Sequence, residues 1–312
     1  MKNQIKNIFG LGLLLAGGVA SAEGTKVGGF VAPAFSWAKA GTVKTSTFNV
    51  PEGALYFSHS MDAAEVMVDI PFALTGATSN SLSLGGSMTQ AYLSHKWSNG
   101  LSWKLGRFDR LYGYSPNDLA ARTLTQQAAL WSMVPTTHTG LVLGYGFSDM
   151  LDVNFLFANP ANTAVRVTGV KYDLGLQANV KMDAIKASLG WLMGKSGAVT
   201  SNLFDVVLGM TQDKMAVDFN FDMTKATGGT AAMGFGLQVK NGFTDTVSGA
   251  VRAEWMKDSA KTKTLAVAVG PQFAVTKALE VRADYSLGNS KADGATTSST
   301  SHTVAVAGVY KF

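Results

Sequence analysis

A two-residue period of apolar side chains, repeated in segment after segment, limits the folds open to this chain more than any other feature. Within residues 214–224, KMAVDFNFDMT, every second residue is apolar and most of the residues between them are polar. Successive side chains of a β-strand point to opposite faces, so this segment is predicted to be a strand with one apolar and one polar face. The same alternation recurs in residues 231–239, 247–255, 279–287 and 303–312.

Followed along the whole sequence, this period predicts an all-β chain with about sixteen strands, and about 12 or 14 strands remain alternatives. The second predicted strand is the least regular, because Pro51 and Gly53 interrupt it. The predicted strands are 26–38, 44–59, 63–73, 87–98, 101–110, 138–147, 150–159, 168–182, 185–195, 202–211, 214–224, 230–240, 245–257, 263–275, 278–288 and 301–312.

The number and regularity of these segments favour a transmembrane, antiparallel, up-and-down β-barrel over a soluble sandwich. Outer-membrane barrels repeat segments of about 10 residues, with short links at the periplasmic end and longer links outside. The predicted links alternate in this way: 148–149 and 212–213 are short, whereas 160–167 and 289–300 are longer. We therefore expect every short link at the periplasmic end. In a bilayer every backbone polar group must be paired, so the last strand is expected to pair with the first.

Residues 1–22 have the pattern of a secretory signal peptide. Lys2 and Lys6 provide a positive start, residues 8–20 are mostly apolar, and Ala20-Ser21-Ala22 is a small-residue cleavage site. The predicted mature chain, 23–312, is one barrel domain that is exported through the periplasm to the outer membrane. Beyond the signal, no apolar run approaches the roughly 20 residues of a transmembrane helix.

Aromatic side chains fall at the predicted strand ends. Amphipathic aromatic rings are typical of both interfaces between a membrane and water, where they form two girdles around a barrel. The residues assigned to these girdles are Trp37, Trp97, Trp255, Tyr285, Tyr310 and Phe312.

The chain ends on Phe312 in mid-strand, and in this it resembles Gram-negative outer-membrane porins, which commonly end on a phenylalanine that marks them for barrel assembly. The segments LGRFDRLYGYSPNDL and HTGLVLGYGFSD also resemble β-barrel porin families of the OmpL type. The resemblance implies that outer-membrane lipid, lipopolysaccharide and the barrel-assembly machinery are partners, and that the chain forms a homotrimer. The Pro-Glu-Phe-Gly-Gly loop motif of the general porins is missing.

The longest predicted link, residues 111–137, is expected to contain a helix. Ser115 is a predicted N-cap, Pro116 suits the first helical position, and an acidic residue follows three positions after the cap. The helix is expected to run to about Trp131, before Pro135 ends it.

This helix would have one apolar stripe, with Asp118, Arg122 and Gln126 on the opposite face. An apolar stripe must pack on another surface, so the loop is expected to fold into the barrel and to present these three side chains to the lumen. In sixteen-stranded general porins, the loop after the fifth strand makes the pore constriction. The resemblance implies the same role for residues 111–137.

A barrel of this size is wide enough to leave an aqueous channel. The alternation places Lys104, Asp218, Arg252 and Arg282 on the inward face near mid-height, and Asp284 nearer the outer mouth. Charges of both signs across a pore select solutes by charge and dipole. The many inward Gly, Ala and Ser residues are expected to leave the bore open, because a plugged barrel needs bulk there.

No catalytic, metal or cofactor site is predicted. The four histidines are not spaced as metal ligands, the chain has no cysteine, and no nucleophile motif is present. The formal net charge is +5, of which the signal lysines account for two, and no basic cluster suggests nucleic acid as a partner.

The predicted function is therefore that of an outer-membrane porin, a water-filled channel for passive diffusion of small hydrophilic solutes and ions. One alternative is a substrate-specific outer-membrane channel. Another is a barrel with a closed lumen that acts as a structural anchor or adhesin.

Overall fold

The structure is a computed structural model that describes residues 24–74, 83–84, 89–164, 171–196 and 198–312. The predicted signal peptide, residues 1–22, lies outside these residues. So do the first residues of the strands predicted at 87–98 and 168–182.

Within the described residues, the chain forms sixteen long strands and one two-residue strand in a single sheet. The strands are β1 Thr25–Ala40, β2 Val43–Met61, β3 Ala64–Leu74, β4 Ser83–Leu84, β5 Gln90–Lys96, β6 Leu101–Asp109, β7 Thr137–Gly146, β8 Leu151–Ala158, β9 Asp173–Met182, β10 Ile185–Ser196, β11 Val199–Gln212, β12 Met215–Ala226, β13 Ala232–Gly242, β14 Val247–Lys257, β15 Lys263–Ala274, β16 Leu279–Lys291 and β17 Ser299–Lys311.

The sheet closes on itself. Each long strand pairs antiparallel with the long strands before and after it in the sequence, and β1 also pairs with β17, where Trp37 lies opposite Val304 and Ala34 opposite Ala307. The two-residue β4 pairs with the same edge of β3 as β5 does, so β4 and β5 occupy one position in the wall. The result is a closed antiparallel barrel of sixteen strands, as predicted.

The two ends of the barrel differ in their links. At one end, residues 62–63, 183–184 and 213–214 join strands through two residues. The first residue of each link is an aspartate with positive φ, 53°, 40° and 52° respectively, a conformation that lets a two-residue turn follow the twist of the strands. We call this the short-turn end, and the opposite end, which carries the link 110–136, the long-loop end.

Two short links depart from the prediction that all of them lie at the same end, because only two residues separate β1 from β2, and β10 from β11, at the long-loop end. Residues 41–42 join β1 to β2 at the long-loop end. Gly41 has a φ of 59°, and glycine adopts this backbone conformation without steric cost. The chain can therefore turn back in two residues where a longer link was expected.

The apolar face of the strands is on the outside of the barrel. On β13, Phe235 and Leu237 are exposed, whereas Gly236 and Gln238 between and beside them are buried on the inward side. This is the orientation that a hydrocarbon environment requires. Among the described residues, no helix is long and apolar enough to cross a bilayer.

Most of the aromatic residues assigned to the girdles lie towards the two ends of the barrel. Exposed Trp97, Tyr310 and Phe312 are at the short-turn end, and the ring of Tyr310 stacks on that of Phe312 at 6.3 Å. Trp37 and Trp255 are in the halves of β1 and β14 nearer the long-loop end, and Tyr285 is the middle residue of β16. That these side chains form two interfacial rings remains a prediction.

Candidate functional site

The link between β6 and β7, residues 110–136, lies inside the barrel. Its hydrogen-bond partners include Glu52 on β2, Gln177 on β9, Asp205 on β11, Glu254 on β14 and Asp284 on β16. These five strands are spread around the whole wall, so only a segment in the lumen can reach all of them. The prediction that this loop folds inward is confirmed. We call residues 110–136 the inner loop.

The inner loop does contain short helical segments, but the single helix expected from Ser115 to about Trp131 does not form. The inner loop contains two short 3-10 helices, η1 Leu119–Ala121 and η2 Ala129–Met133. Arg122, directly after η1, has an extended backbone with φ −68° and ψ 152°. A single helix from Ser115 to Trp131 is therefore interrupted near its middle.

The barrel wall supplies the hydrogen bonds that a helix would have made within itself. The Gln126 N–H donates to Asp284 Oδ2 at 2.8 Å. The Ala129 and Leu130 N–H groups donate to the two carboxylate oxygens of Glu254, at 2.8 and 3.2 Å. Buried backbone groups need partners, and here side chains of the wall provide them. Local helix signals are overridden for this reason.

Two wall arginines bind the carbonyl groups of the inner loop. Arg282 Nη1 donates to the carbonyl oxygens of Leu119 and Arg122, both at 2.8 Å. Arg252 Nη2 donates to the carbonyl oxygens of residues 126–127, both at 3.0 Å. The two arginines are 2% and 4% exposed respectively. Their guanidinium groups therefore face the loop and have little contact with water.

Glu52 holds the first half of the inner loop. One of its carboxylate oxygens accepts the Leu119 N–H at 2.6 Å, and the other pairs with Arg122 Nη2 at 2.8 Å. Burial lowers the pKa of Arg122, and the carboxylate of Glu52 raises it again. The ion pair thus compensates for the loss of water around the guanidinium.

Tyr114 adds a further contact from the inner loop to the wall. Its hydroxyl donates to Glu254 Oε1 at 3.3 Å. Burial raises the pKa of Tyr114, and the negative charge of Glu254 raises it further. The hydroxyl therefore remains protonated, as a donor must be. Arg110, at the start of the loop, has its pKa lowered by burial to about 10 and remains charged at neutral pH.

Apolar side chains of the inner loop pack on inward apolar patches of the wall. Leu119 lies in a buried cluster with Phe30 of β1 and Val309 of β17. Leu124 packs against Ala250 of β14 and is completely buried. Full burial of such a side chain contributes about 1.5–3 kcal/mol, so these contacts hold the loop as firmly as the polar ones.

Inward glycines make room for two larger side chains of the loop. A Cβ atom placed on Gly234 would lie 2.3 Å from Leu130 Cδ2, and one placed on Gly190 would lie 2.5 Å from Tyr112 Cδ1. Both distances are shorter than any van der Waals contact. At these two positions the inward glycines accommodate side chains of the inner loop. The expectation that small inward residues leave the bore open therefore does not hold there.

Replacing Gly234 with valine should lower the free energy of unfolding by about 1–3 kcal/mol, the usual cost of overpacking. The added methyl groups would collide with Leu130 and push η2 off the wall. Denaturant unfolding in detergent measures this change. Adding Leu130→Ala to Gly234→Val should recover part of the loss. Gly308→Val, at a strand glycine with nothing within 4 Å of its Cβ position, serves as the matched control, and an equal loss there would contradict the explanation.

Two of the predicted mid-height residues face the lumen without touching the inner loop. Lys104 Nζ lies 4.3 Å from the centre of the Tyr92 ring. Asp218 Oδ1 lies 3.5 Å from Lys186 Nζ on β10. By contrast Asp284, like the two arginines, is covered by the loop and is 3% exposed.

The three predicted loop residues do not share one face, because the helix that would align them is absent. Asp118 Oδ2 accepts a hydrogen bond from Tyr56 at 2.8 Å, and Arg122 pairs with Glu52. Gln126 contacts the wall through its backbone. The first two side chains therefore bind the wall, where they had been expected to face away from it.

The sequence did not single out several wall residues that hold the inner loop, among them Glu52, Asp205 and Gln272. Asp205 Oδ2 accepts the Gly113 N–H at 3.0 Å, and Gln272 Nε2 donates to the Thr123 carbonyl. All three lie at inward positions of their strands, so the alternation could have placed them in the lumen. The residues next to them in the sequence do not indicate which groups of the inner loop they bind.

Open space remains between the inner loop and the short-turn end. A cavity of about 530 Å³ there is lined by Glu65, Ser94, Lys104 and Asn154 of the wall, and by Leu111 of the loop. Most of these side chains are polar and suit water or hydrophilic solutes. In the part of the chain that the structure describes, no group of three or more His, Asp or Glu residues is placed to hold a metal ion.

The fold is shared with solved outer-membrane porins at low sequence identity. The Salmonella typhi OmpF complex with daunomycin matches with a TM-score of 0.68 and 12% identity, over 92% of this chain and 97% of that one. The outer-membrane channel DcaP of Acinetobacter baumannii matches with a TM-score of 0.67 and 12% identity, again over 92% and 97%. OmpT of Vibrio cholerae, in its trimer form, matches with a TM-score of 0.66 and 11% identity, over 93% and 100%.

The sequence itself identifies a family. No curated protein sequence matches the chain. Residues 36–312, almost the whole barrel, match the family described as "Putative beta-barrel porin-2, OmpL-like". The resemblance to OmpL-type families noted in the segments around the inner loop therefore extends along the chain. This protein belongs to the OmpL-like β-barrel porin-2 family and has the fold of an outer-membrane porin.

Proposed function

We propose that this porin is a passive, water-filled channel for small hydrophilic solutes and ions. It lies in the outer membrane, which it reaches through the periplasm after loss of residues 1–22, with the short-turn end facing the periplasm. The observation that supports this most directly is the inner loop lying across a sixteen-strand barrel that is apolar outside and polar inside. Barrels of this size leave room for an aqueous channel.

The predicted site residues have three roles in this proposal. Lys104 and Asp218 line the channel, where they meet solutes directly. Arg252, Arg282 and Asp284 act on the channel through the inner loop, because they hold its backbone across the lumen. Asp118, Arg122 and Gln126 belong to the constriction itself.

Reconstitution into planar bilayers tests this function. The purified porin should give discrete conductance steps. Liposomes that contain it should swell in sugar solutions at rates that fall smoothly with sugar size. One sugar that enters much faster than others of its size would favour a substrate-specific channel.

A closed barrel that serves as an anchor or adhesin is the second candidate. It is favoured by the number of strands to which the inner loop is bonded, from β2 round to β16. The absence of any conductance step from correctly folded, heat-modifiable protein would select this candidate over the open channel.

We further propose a homotrimer in contact with lipopolysaccharide. The trimer form of the structurally similar Vibrio cholerae OmpT supports this assembly, as does the resemblance to general porins. Electrophoresis of unheated samples and light scattering in detergent should both give three times the mass of one chain. A single-chain mass in both measurements would contradict the trimer.

Phe312 is proposed to act in assembly as well as in closure of the barrel. Its N–H and carbonyl groups bond those of Gly29 on β1 at 3.1 and 3.0 Å, and its ring covers that glycine. Phe312→Ser should sharply reduce the amount of folded barrel in the outer membrane, because the barrel-assembly machinery is proposed to read this ring. Tyr310→Ser, which removes another exposed ring of the same strand, is the control. A normal yield of Phe312→Ser would contradict the assembly role.

A further inference from the structure

The inner loop pairs most of the carboxylates at its own depth in the barrel. Glu52, Asp205, Glu254 and Asp284 each accept at least one N–H group of the loop. Asp205, Glu254 and Asp284 are at most 3% exposed. A carboxylate that is buried and hydrogen-bonded in this way has little contact with a passing ion. The near balance of charges in the sequence therefore does not describe the water-filled part of the lumen.

A set of lysines lies on the inward face between the inner loop and the short-turn end. Their inward orientation follows from the strand register. Each lysine either lies opposite a side chain that touches the loop or the cavity, or lies an even number of positions away from such a side chain on the same strand. In the part of the chain that the structure describes, this set, which we call the lysine vestibule, is Lys26, Lys96, Lys104, Lys181, Lys186, Lys240 and Lys311.

The depth of the lysine vestibule is given by its distance from loop contacts along each strand. Lys240 lies two residues beyond Gln238, whose Nε2 donates to Thr123 of the inner loop. Lys311 lies two residues beyond Val309, which packs on Leu119. These lysines are thus below the constriction, on the side of the short-turn end.

Most of these ammonium groups are open to water. Lys26, Lys96, Lys181, Lys186 and Lys311 are exposed, and Lys104 and Lys240 are half-buried. Lysine side chains extend their charged end into water while their stems lie along the wall. The lysine vestibule therefore surrounds the aqueous space with mobile positive charges.

Four inward carboxylates share this depth: Glu65, Asp152, Asp218 and Glu280. Glu280 is bound to the buried guanidinium of Arg282, with Oε1 2.6 Å from Nε. Asp218 lies 3.5 Å from Lys186. Lysines outnumber these carboxylates even before the charge of Arg282 is included, so this part of the wall is positive.

Aspartates of the short turns partly oppose this charge from outside. Asp62, Asp149, Asp183, Asp213 and Asp245 are all exposed in links between strands, and Asp245 pairs with Lys214 of a neighbouring link at 2.7 Å. Asp62 also lines the cavity below the inner loop. The others lie at the rim, where electrolyte screens charges within about 8 Å at physiological ionic strength. Charges that surround an enclosed aqueous space are screened less, and low-dielectric walls focus their field along the bore. The lysine vestibule therefore dominates the potential that an ion meets inside the channel.

We infer that the lysine vestibule makes this channel selective for small anions, such as chloride, carboxylates and phosphate. This inference rests on the proposed channel function and names its class of solute. Anions are concentrated below the constriction, whereas cations are depleted there. No single lysine forms a binding site, because the selectivity follows from the summed charge of the lysine vestibule.

The reversal potential in a KCl gradient across a planar bilayer measures this selectivity. We expect a chloride-to-potassium permeability ratio of about 3 or more near 0.1 M salt. It should fall towards 1 near 1 M, as the Debye length shrinks from about 10 to about 3 Å. The double variant Lys181→Gln, Lys186→Gln removes two neighbouring members that lie directly opposite each other on β9 and β10. It should lower the ratio at least about twofold at low salt.

The matched control is Lys257→Gln, Lys263→Gln. These lysines also lie directly opposite each other, on β14 and β15, but at the long-loop end and on the outward face. The control removes the same charge and should leave the ratio unchanged. A wild-type ratio of 1 or less, or an equal ratio in the two double variants, would overturn the inference while leaving the channel intact. Absence of conductance in the wild type would instead refute the proposed function.

Discussion

Deletion of residues 116–131 is expected to raise the single-channel conductance at least about twofold, because a sixteen-strand barrel without an inward segment is an open aqueous tube. These residues contain η1 and most of η2, and side chains such as Leu119, Leu124 and Leu130 that bury themselves on the wall. Arg252 and Arg282 would regain water as partners once the loop is gone, so the barrel should still assemble. Planar-bilayer recordings before and after the deletion measure the change.

A deletion elsewhere at the same end of the barrel provides the control. The link 292–298 between β16 and β17 is mostly exposed. Its shortening should leave the conductance unchanged. If the deletion of 116–131 also left the conductance unchanged in a folded barrel, the inner loop could not be the constriction.

Replacing Arg282 with methionine is expected to release the first half of the inner loop. This arginine is 2% exposed, donates to the carbonyl oxygens of Leu119 and Arg122, and pairs with Glu280. Removing one side of a buried charged interaction costs about 3–5 kcal/mol. The free energy of unfolding should fall by that amount. The single-channel current should fluctuate between levels as the loop moves.

Two further variants make this prediction specific. Arg282→Lys keeps the charge but loses the planar set of donors, so it should have an intermediate effect. Lys291→Met removes an exposed cation from the same strand and should change neither property. Steady current and unchanged stability in Arg282→Met would show that the loop is held without this residue.

The strands could be predicted closely from the sequence. The strand expected at 214–224 is observed as Met215–Ala226, and the one expected at 185–195 as Ile185–Ser196. One face of each strand meets apolar surroundings and the other meets polar surroundings. Apolar and polar residues therefore alternate along the strand with a period of two. The link 41–42 was missed because one glycine in the left-handed region was enough to shorten the turn.

The inner loop was predicted in position but not in conformation. Its length and its apolar residues indicated that it would enter the lumen. The cap residues Ser115 and Pro116 indicated a helix, and their preference amounts to about 1 kcal/mol. The contacts with Glu254, Asp284 and Arg252 outweigh this preference, because buried backbone groups left unpaired would each cost about 1–3 kcal/mol.

The sequence by itself determined that this chain is a closed, membrane-spanning barrel with a long segment inside it, because the period of each strand is a local property written in consecutive residues. Only the tertiary structure decided which charges face water. Gln126 and Asp284, which bond to each other, are 158 residues apart, and no local pattern links them. Most carboxylates and both wall arginines at the depth of the inner loop are paired by such contacts, whereas most of the lysines below it face water.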